Sequence, residues 1–123
     1  MLISTVAIYL ARFISFMAVI TGPNWFINYK RALQIFGLPP TLTTNEMATL
    51  CPAVGGRNMS LGTVVIFASY QLSRQQTGLI MAIIATGSGL SDTEVCLRVG
   101  RGHKRHLANL VFCYCVAAVL LLS

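Results

Sequence analysis

Four apolar stretches joined by polar connections dominate this chain of 123 residues. They run from about Leu2 to Ile20, Arg57 to Leu72, Thr77 to Val95 and His106 to Leu122. Each is close to the ~20 residues that an α-helix needs to cross the hydrocarbon core of a bilayer. Hydrophobic residues make up 55% of the sequence and charged residues only 10%, unlike a soluble domain. We therefore predict a polytopic, all-α membrane protein, with residues 1–123 forming a single bundle of four transmembrane helices.

The first connection is predicted to contain an interfacial helix. Its middle part, Trp25 to Phe36, mixes aromatic, aliphatic and basic residues at helical spacing. A short amphipathic helix of this kind lies in the plane of the membrane interface. Gly55 and Gly56, at the end of the connection, are interpreted as a flexible start to the second span.

The positive charge is concentrated in the connections on one side of the membrane. The net charge is +6, and six of the nine basic residues lie in the first and third connections. The positive-inside rule then places these two connections in the cytoplasm, and we expect a multi-pass protein of the endoplasmic reticulum. Contact with anionic headgroups explains such residues better than nucleic-acid binding, which we do not expect. The six residues are Lys30, Arg31, Arg98, Arg101, Lys104 and Arg105.

Four ionisable side chains lie inside the apolar stretches or at their ends. Arg12 falls near the middle of the first span, whereas Arg57, Asp92 and His106 fall at the same end of the other three. An ionisable group within a membrane costs about 2.5 to 3.5 kcal/mol even on lenient insertion scales, and it commonly marks a functional site. An even number of spans brings the three ends together whichever way the protein faces, so we predict a shared polar pocket.

Helical phase favours Asp92 over its acidic neighbour Glu94. Asp92 continues a stripe of small residues spaced by four and three positions, and such stripes mark close helix packing in membranes. Glu94 lies about 200° round the helix axis and can pair with Arg98 at i+4. The stripe consists of Gly78, Ala82, Ala85, Gly89, Asp92 and Cys96.

The predicted pocket offers acid–base chemistry. Asp92 can accept a proton from water or from a hydroxyl group, and Arg57 or a protonated His106 can stabilise an oxyanion. His106 is the better proton donor because arginine does not release its proton in proteins. A structural alternative stays open: Asp92 paired with Arg57 or Arg12 could only fix helix register, and residues at the span ends could extend to the headgroups.

No metal site or cofactor is predicted. Cys113 and Cys115 are two positions apart, so a helix directs them to different sides. The chain has no Cys-x-x-Cys pair. Gly55-Gly56-Arg57 lacks the Gly-Lys-Thr end and the preceding strand of a phosphate-binding loop.

Several short motifs resemble a family of small four-helix membrane proteins, originally of unknown function, that is common in fungi and bacteria. The motifs are the run Asn28 to Pro40, Gly55-Gly56-Arg57-Asn58 followed by Gly62, Asp92 closing the third span and His106 opening the fourth. The similarity covers nearly the whole chain. Family members commonly have Arg-Asp where this chain has Arg57-Asn58, so an amide replaces the carboxylate at that position.

Some fungal members of this family resemble the hydrolases of polyene-pyrone biosynthesis, of the aurovertin and citreoviridin type, which open epoxides and guide ether-ring formation. This resemblance implies an apolar polyketide as substrate, Asp92 as general base, His106 as general acid or its orienting partner, and Arg57 as oxyanion stabiliser. Glu46 is the alternative base. The residues expected to position substrate or water are Arg12, Asn24, Glu46, Asn58 and Asn109.

A non-catalytic role is the rival hypothesis. Small transporters also place a lone carboxylate such as Asp92 in a stripe of small residues. The chain could instead be a transporter subunit or a scaffold for soluble enzymes. Besides the lipid bilayer and the substrate, its partners could then include a second copy of itself or other enzymes of the pathway.

Overall fold

The computed structural model describes residues 2–123, and every regular element in that range is helical. A 3-10 turn, Pro40–Leu42, precedes the fourth helix, and a π-helical segment, Ala85–Gly89, joins the fifth helix to the sixth without a break. The all-α class is therefore confirmed. The α-helices are α1 (Leu2–Thr21), α2 (Asn24–Ile27), α3 (Tyr29–Phe36), α4 (Asn45–Gln71), α5 (Arg74–Ile84), α6 (Leu90–Arg98) and α7 (His103–Leu121).

The long helices pack side by side. Helix α1 packs against α4 and α7, α5 packs against α7 and α4, and α6 packs against α7. Glycines allow two of these contacts, because a Cβ at Gly62 would lie 2.5 Å from the carbonyl oxygen of Ser15. A Cβ at Gly78 would lie 2.8 Å from the carbonyl oxygen of Ala117. Small residues at such positions let helix backbones approach closely in a membrane.

Three helical segments are long and apolar enough to cross a membrane: Leu2–Ile27, Arg74–Arg98 and His103–Leu121. Large apolar side chains cover their outward faces, as expected for contact with lipid. Examples are Phe13, Phe16, Leu79, Ile83 and Val111. The chain is therefore a membrane protein. Helix α4 has the length, at 27 residues, but it carries Glu46, Arg57 and Asn58 and is not among the three.

The helix that contains the predicted second span does not start at the glycine pair. Helix α4 begins at Asn45 and continues through Pro52, Gly55 and Gly56. The expected flexibility is wrong because Gly55 serves close packing. A Cβ there would lie 2.7 Å from the carbonyl oxygen of Gly22 and 2.8 Å from the Cβ of Trp25.

The predicted interfacial segment forms two short helices instead of one. The chain bends at Asn28, with φ −134° and ψ 65°, and the Asn28 side chain accepts a hydrogen bond from the backbone N–H of Arg31. Helix α3 buries Ala32 and Leu33 and exposes its basic residues, so it is amphipathic. An apolar cluster covers one end of the bundle: Trp25, Ala32, Leu33, Leu38 and Cys51. Whether α3 lies in a membrane interface stays a prediction.

Candidate functional site

An ion pair joins α4 to α6 at the end of the bundle covered by that cluster. The Nη2 atom of Arg57 lies 3.0 Å from Oδ1 and 3.1 Å from Oδ2 of Asp92. The guanidinium also donates to Oδ1 of Asn58, from Nε at 3.3 Å and from Nη2 at 3.1 Å. Its Nη1 donates to Oγ of Ser91 at 3.4 Å. All three nitrogens of Arg57 are therefore engaged, and this network fixes the orientation of the carboxylate.

The π-helical segment precedes Asp92 and sets the direction of α6. Such segments change the helical phase locally and are frequent at functional sites. Asp92, in the first turn of α6, has a side chain only 20% exposed, whereas Glu94 is 56% exposed and accepts from Nε of Arg98 at 2.9 Å. The predicted inward direction of Asp92 and the predicted Glu94–Arg98 pair are both confirmed.

His106 is held by a backbone carbonyl. Its Nε2 lies 2.7 Å from the carbonyl oxygen of Phe36, and the two rings lie 4.5 Å apart between centroids. The thiol of Cys96 donates to the same oxygen at 3.6 Å. Because a carbonyl only accepts, Nε2 must carry the hydrogen. Nδ1 of His106 makes no hydrogen bond within residues 2–123, so this nitrogen is the one available to a ligand.

A cavity of about 530 Å³ lies beside these groups. This volume falls within the range of about 300 to 1,000 Å³ that is typical of small-molecule sites. Apolar side chains such as Ile14 and Leu110 form much of the remaining wall. The structure thus brings together five of the eight residues predicted for the site. These five are Asn24, Asn58, Asp92, His106 and Asn109.

The other three predicted residues do not line this cavity. Arg57 lies behind Asp92, in the wall of a neighbouring chamber. Arg12 contacts the C-terminal end of α4, where Nε donates to Oγ of Ser69 at 3.0 Å and Nη2 to the Ser69 carbonyl at 2.9 Å. Its guanidinium lies 3.8 Å from the ring centroid of Tyr70. Glu46 is exposed in the first turn of α4. Arg12 and Glu46 are therefore separate from the pocket.

The structure adds residues that the sequence did not suggest. Trp25, Phe36 and Arg105 line the cavity, and Phe36 acts through its backbone oxygen as well. A backbone acceptor leaves no signature in the side-chain pattern. The sequence analysis used Arg105 only as one of the basic residues that indicate the topology. Its position next to His106 was the signal that could have placed it at the pocket.

The family of the chain is shown by comparison with known proteins. A family model described as a domain of unknown function, DUF4267, matches residues 15–122. The chain belongs to this family. No curated protein and no solved structure matches it. All five predicted residues on the cavity lie within the DUF4267 region. Since the DUF4267 description assigns no activity, it lends no support to the narrower resemblance to epoxide-opening hydrolases.

Proposed function

We propose that this chain is a membrane-embedded enzyme that opens an epoxide on an apolar substrate. The attacking group is water or a hydroxyl group of the same molecule, which would close an ether ring. One observation supports this proposal above all: a carboxylate, an imidazole and three side-chain amides line a single cavity. Asp92 and His106 provide the acid–base pair, and Asn24, Asn58 and Asn109 provide donors and acceptors that can position the substrate and a water molecule.

Epoxide opening needs a base on one side of the ring and a proton donor on the other. In the proposed reaction Asp92 takes a proton from the attacking hydroxyl, whose oxygen forms a bond to an epoxide carbon. The carbon–oxygen bond of the ring breaks, and the departing oxygen takes a proton from Nδ1 of the His106 imidazolium. Solvent returns the proton from Asp92 to His106 after each turnover. Hydrolysis therefore adds one water molecule in total, and cyclisation adds none.

Arg57 has a different role in this mechanism from the one expected from sequence. Its nitrogens already donate to Asp92, Asn58 and Ser91, and it does not line the polar cavity. We propose that Arg57 orients Asp92, while the departing oxygen is stabilised from the His106 side. An oriented carboxylate is effective because it needs no rearrangement when charge develops in the transition state.

The proposed membrane placement brings the site to the cytoplasmic leaflet. Helix α4 is proposed as the fourth span, α3 lies in the interface, and the end with Arg57 and Asp92 faces the cytoplasm of the endoplasmic reticulum. An apolar epoxide dissolved in the bilayer could then reach Asp92 sideways. Labelling of single engineered cysteines at Lys30 and Gln75 with an impermeant maleimide, in sealed microsomes, tests this orientation. Lys30 should be labelled from outside the microsomes, and labelling of Gln75 alone would reverse the orientation.

Turnover of a simple alkyl epoxide by purified protein in nanodiscs tests the activity. The assay measures diol formation from 1,2-epoxydodecane in ¹⁸O-labelled water by mass spectrometry. We expect Asp92→Asn and His106→Gln to lower the rate by about 100-fold or more, the usual contribution of an acid or base group. The matched controls Glu94→Gln and His103→Gln, which change residues off the cavity, should keep the wild-type rate.

Two results would overturn the proposal. One is a folded Asp92→Asn variant that opens the epoxide at the wild-type rate. The other is Asp92-dependent uptake of a solute into proteoliposomes with no epoxide turnover, which would favour the rival transporter hypothesis.

A further inference from the structure

A second cavity, of about 260 Å³, lies on the far side of the Arg57–Asp92 pair. Its polar boundary consists of Arg57, Ser91 and Asp92. The remainder of its wall is apolar and comes from α2, α3, α4 and α6 together with the segment after α3. The apolar residues used below are Leu33, Leu38, Met47, Val54 and Val95. We call this space the apolar chamber.

The apolar chamber and the polar cavity share one partition. Trp25, Phe36 and Asp92 line both spaces. The Trp25 and Phe36 rings meet edge to face, with centroids 5.7 Å apart and an angle of 79° between the planes. Phe36 also contacts the ring of His106. The carboxylate of Asp92 therefore lies at the boundary between a polar space and an apolar one.

We infer that the apolar chamber receives one end of a linear hydrocarbon chain whose reacting group lies at Asp92, and that the chamber limits the length of that end. The inference rests on the proposed function, since it assigns a place to part of the same substrate. The location supports this occupant, because Asp92 lines the chamber as well as the polar cavity, so the chamber is an apolar space directly beside a group bound at Asp92. A phospholipid headgroup fits less well, because the nitrogens of Arg57 already donate to protein oxygens.

Selection in the chamber must be steric. Transfer of a hydrocarbon chain from lipid into an apolar protein site contributes little binding free energy, because lipid tails are as apolar as the site. Chain length should therefore have little effect until the chain exceeds the chamber, after which binding falls. A side chain that occupies part of the chamber should shorten the longest chain accepted, since overfilled packed sites are destabilised.

Fluorescence of Trp25, the only tryptophan of the chain, reports occupancy of the two spaces that it lines. Substitutions at Val54 and Met47, which line the chamber and not the polar cavity, distinguish one space from the other. The probes are ω-bromoalkanols of increasing length, each at the same mole fraction in nanodiscs, and their bromine quenches tryptophan on contact. We expect quenching up to a limiting length in the wild-type protein. Val54→Phe should lower that limiting length. The longest alcohol that the wild-type protein accepts should quench this variant about tenfold more weakly, because overpacking by about 1.4 kcal/mol corresponds to a tenfold weaker binding constant.

Matched variants separate chamber filling from a general disturbance. Val64→Phe makes the same change on the same helix at a position 46% exposed on the outer surface, and it should quench like the wild type. Met47→Ala enlarges the chamber and should raise the limiting length. The inference fails if all four proteins show the same dependence on chain length. It also fails if native mass spectrometry finds a retained phospholipid that Val54→Phe displaces.

The same variants distinguish failure of this inference from failure of the proposed function. If the protein is not an epoxide enzyme, the bromoalkanols still quench with a length limit while no epoxide is turned over. If the chamber is not the chain site, 1,2-epoxyalkanes of every length are turned over and Val54→Phe does not change their relative rates.

Discussion

Replacing Gly62 with alanine should destabilise the bundle, whereas the same change at Gly56 should not. Both glycines lie inside α4, so both substitutions gain the helix preference of alanine over glycine, about 1 kcal/mol. A Cβ at Gly62 would lie 2.5 Å from the Ser15 carbonyl oxygen and 2.9 Å from Cγ2 of Val19, whereas a Cβ at Gly56 meets nothing within 4 Å. The difference between the two variants therefore isolates the contact between α1 and α4.

The expected difference in unfolding free energy follows from the kind of atom contacted. A backbone carbonyl cannot move aside as a flexible side chain does, so α1 and α4 must separate by several tenths of an ångström. Overpacking of this kind costs about 1 to 3 kcal/mol. Gly62→Ala should thus be less stable than Gly56→Ala by about 1 to 3 kcal/mol.

Equilibrium unfolding in mixed detergent and SDS micelles, followed by circular dichroism, measures this difference. Serine at the two positions serves as a second pair with similar volume. Equal stabilities of Gly62→Ala and Gly56→Ala would show that α1 and α4 do not approach as closely as the structure has them.

Three further predictions concern single interactions. In a double-mutant cycle, Arg57→Met and Asp92→Asn should show a coupling of about 1 to 3 kcal/mol in unfolding free energy. This value lies between those of surface and fully buried ion pairs, because the side chains of Arg57 and Asp92 are 30% and 20% exposed. A coupling near zero would show that the ion pair does not stabilise the fold. Cys51 is buried, with 1% exposure, and its thiol donates to the Met47 carbonyl oxygen. Its labelling by N-ethylmaleimide, mapped by mass spectrometry, should therefore be slower in the folded protein than in SDS, and equal rates in both states would contradict this. Ser73→Ala removes one half of the capping box formed with Gln76 at the start of α5, and should lower the unfolding free energy by about 1 kcal/mol, with no change in stability as the contrary result.

Periodic features of the site were predictable from sequence. Asp92 continues a stripe of small residues, and helical geometry directs such a stripe towards a neighbouring helix. The same periodicity placed Glu94 outside and paired it with Arg98, which the structure confirms. The spacing of the apolar stretches also brought the Asp92 and His106 ends of their helices together, because helices connected in sequence alternate in direction.

Other features depend on contacts that no local pattern contains. Gly55 was interpreted as a flexible element because glycine favours turns, yet its missing side chain makes room for Trp25. The π-helical segment before Asp92 leaves little mark in composition. Arg12 was assigned to the pocket as an ionisable residue within the first span. Its partner is instead Ser69, near the C-terminal end of α4, and this pairing depends on how the helices pack.

The carbonyl of Phe36 links two parts of the molecule that are far apart in sequence. Phe36 is the last residue of α3, and the following residue, Gly37, adopts the left-handed conformation with φ 116°. The Phe36 carbonyl oxygen accepts hydrogen bonds from Nε2 of His106 and from the thiol of Cys96. Displacement of α3 from the bundle would remove this acceptor from the His106 imidazole and leave the ring free to rotate. The orientation of the His106 ring on α7 therefore depends on the docking of the first connection, and a force applied to α3 would change that orientation without any contact with His106.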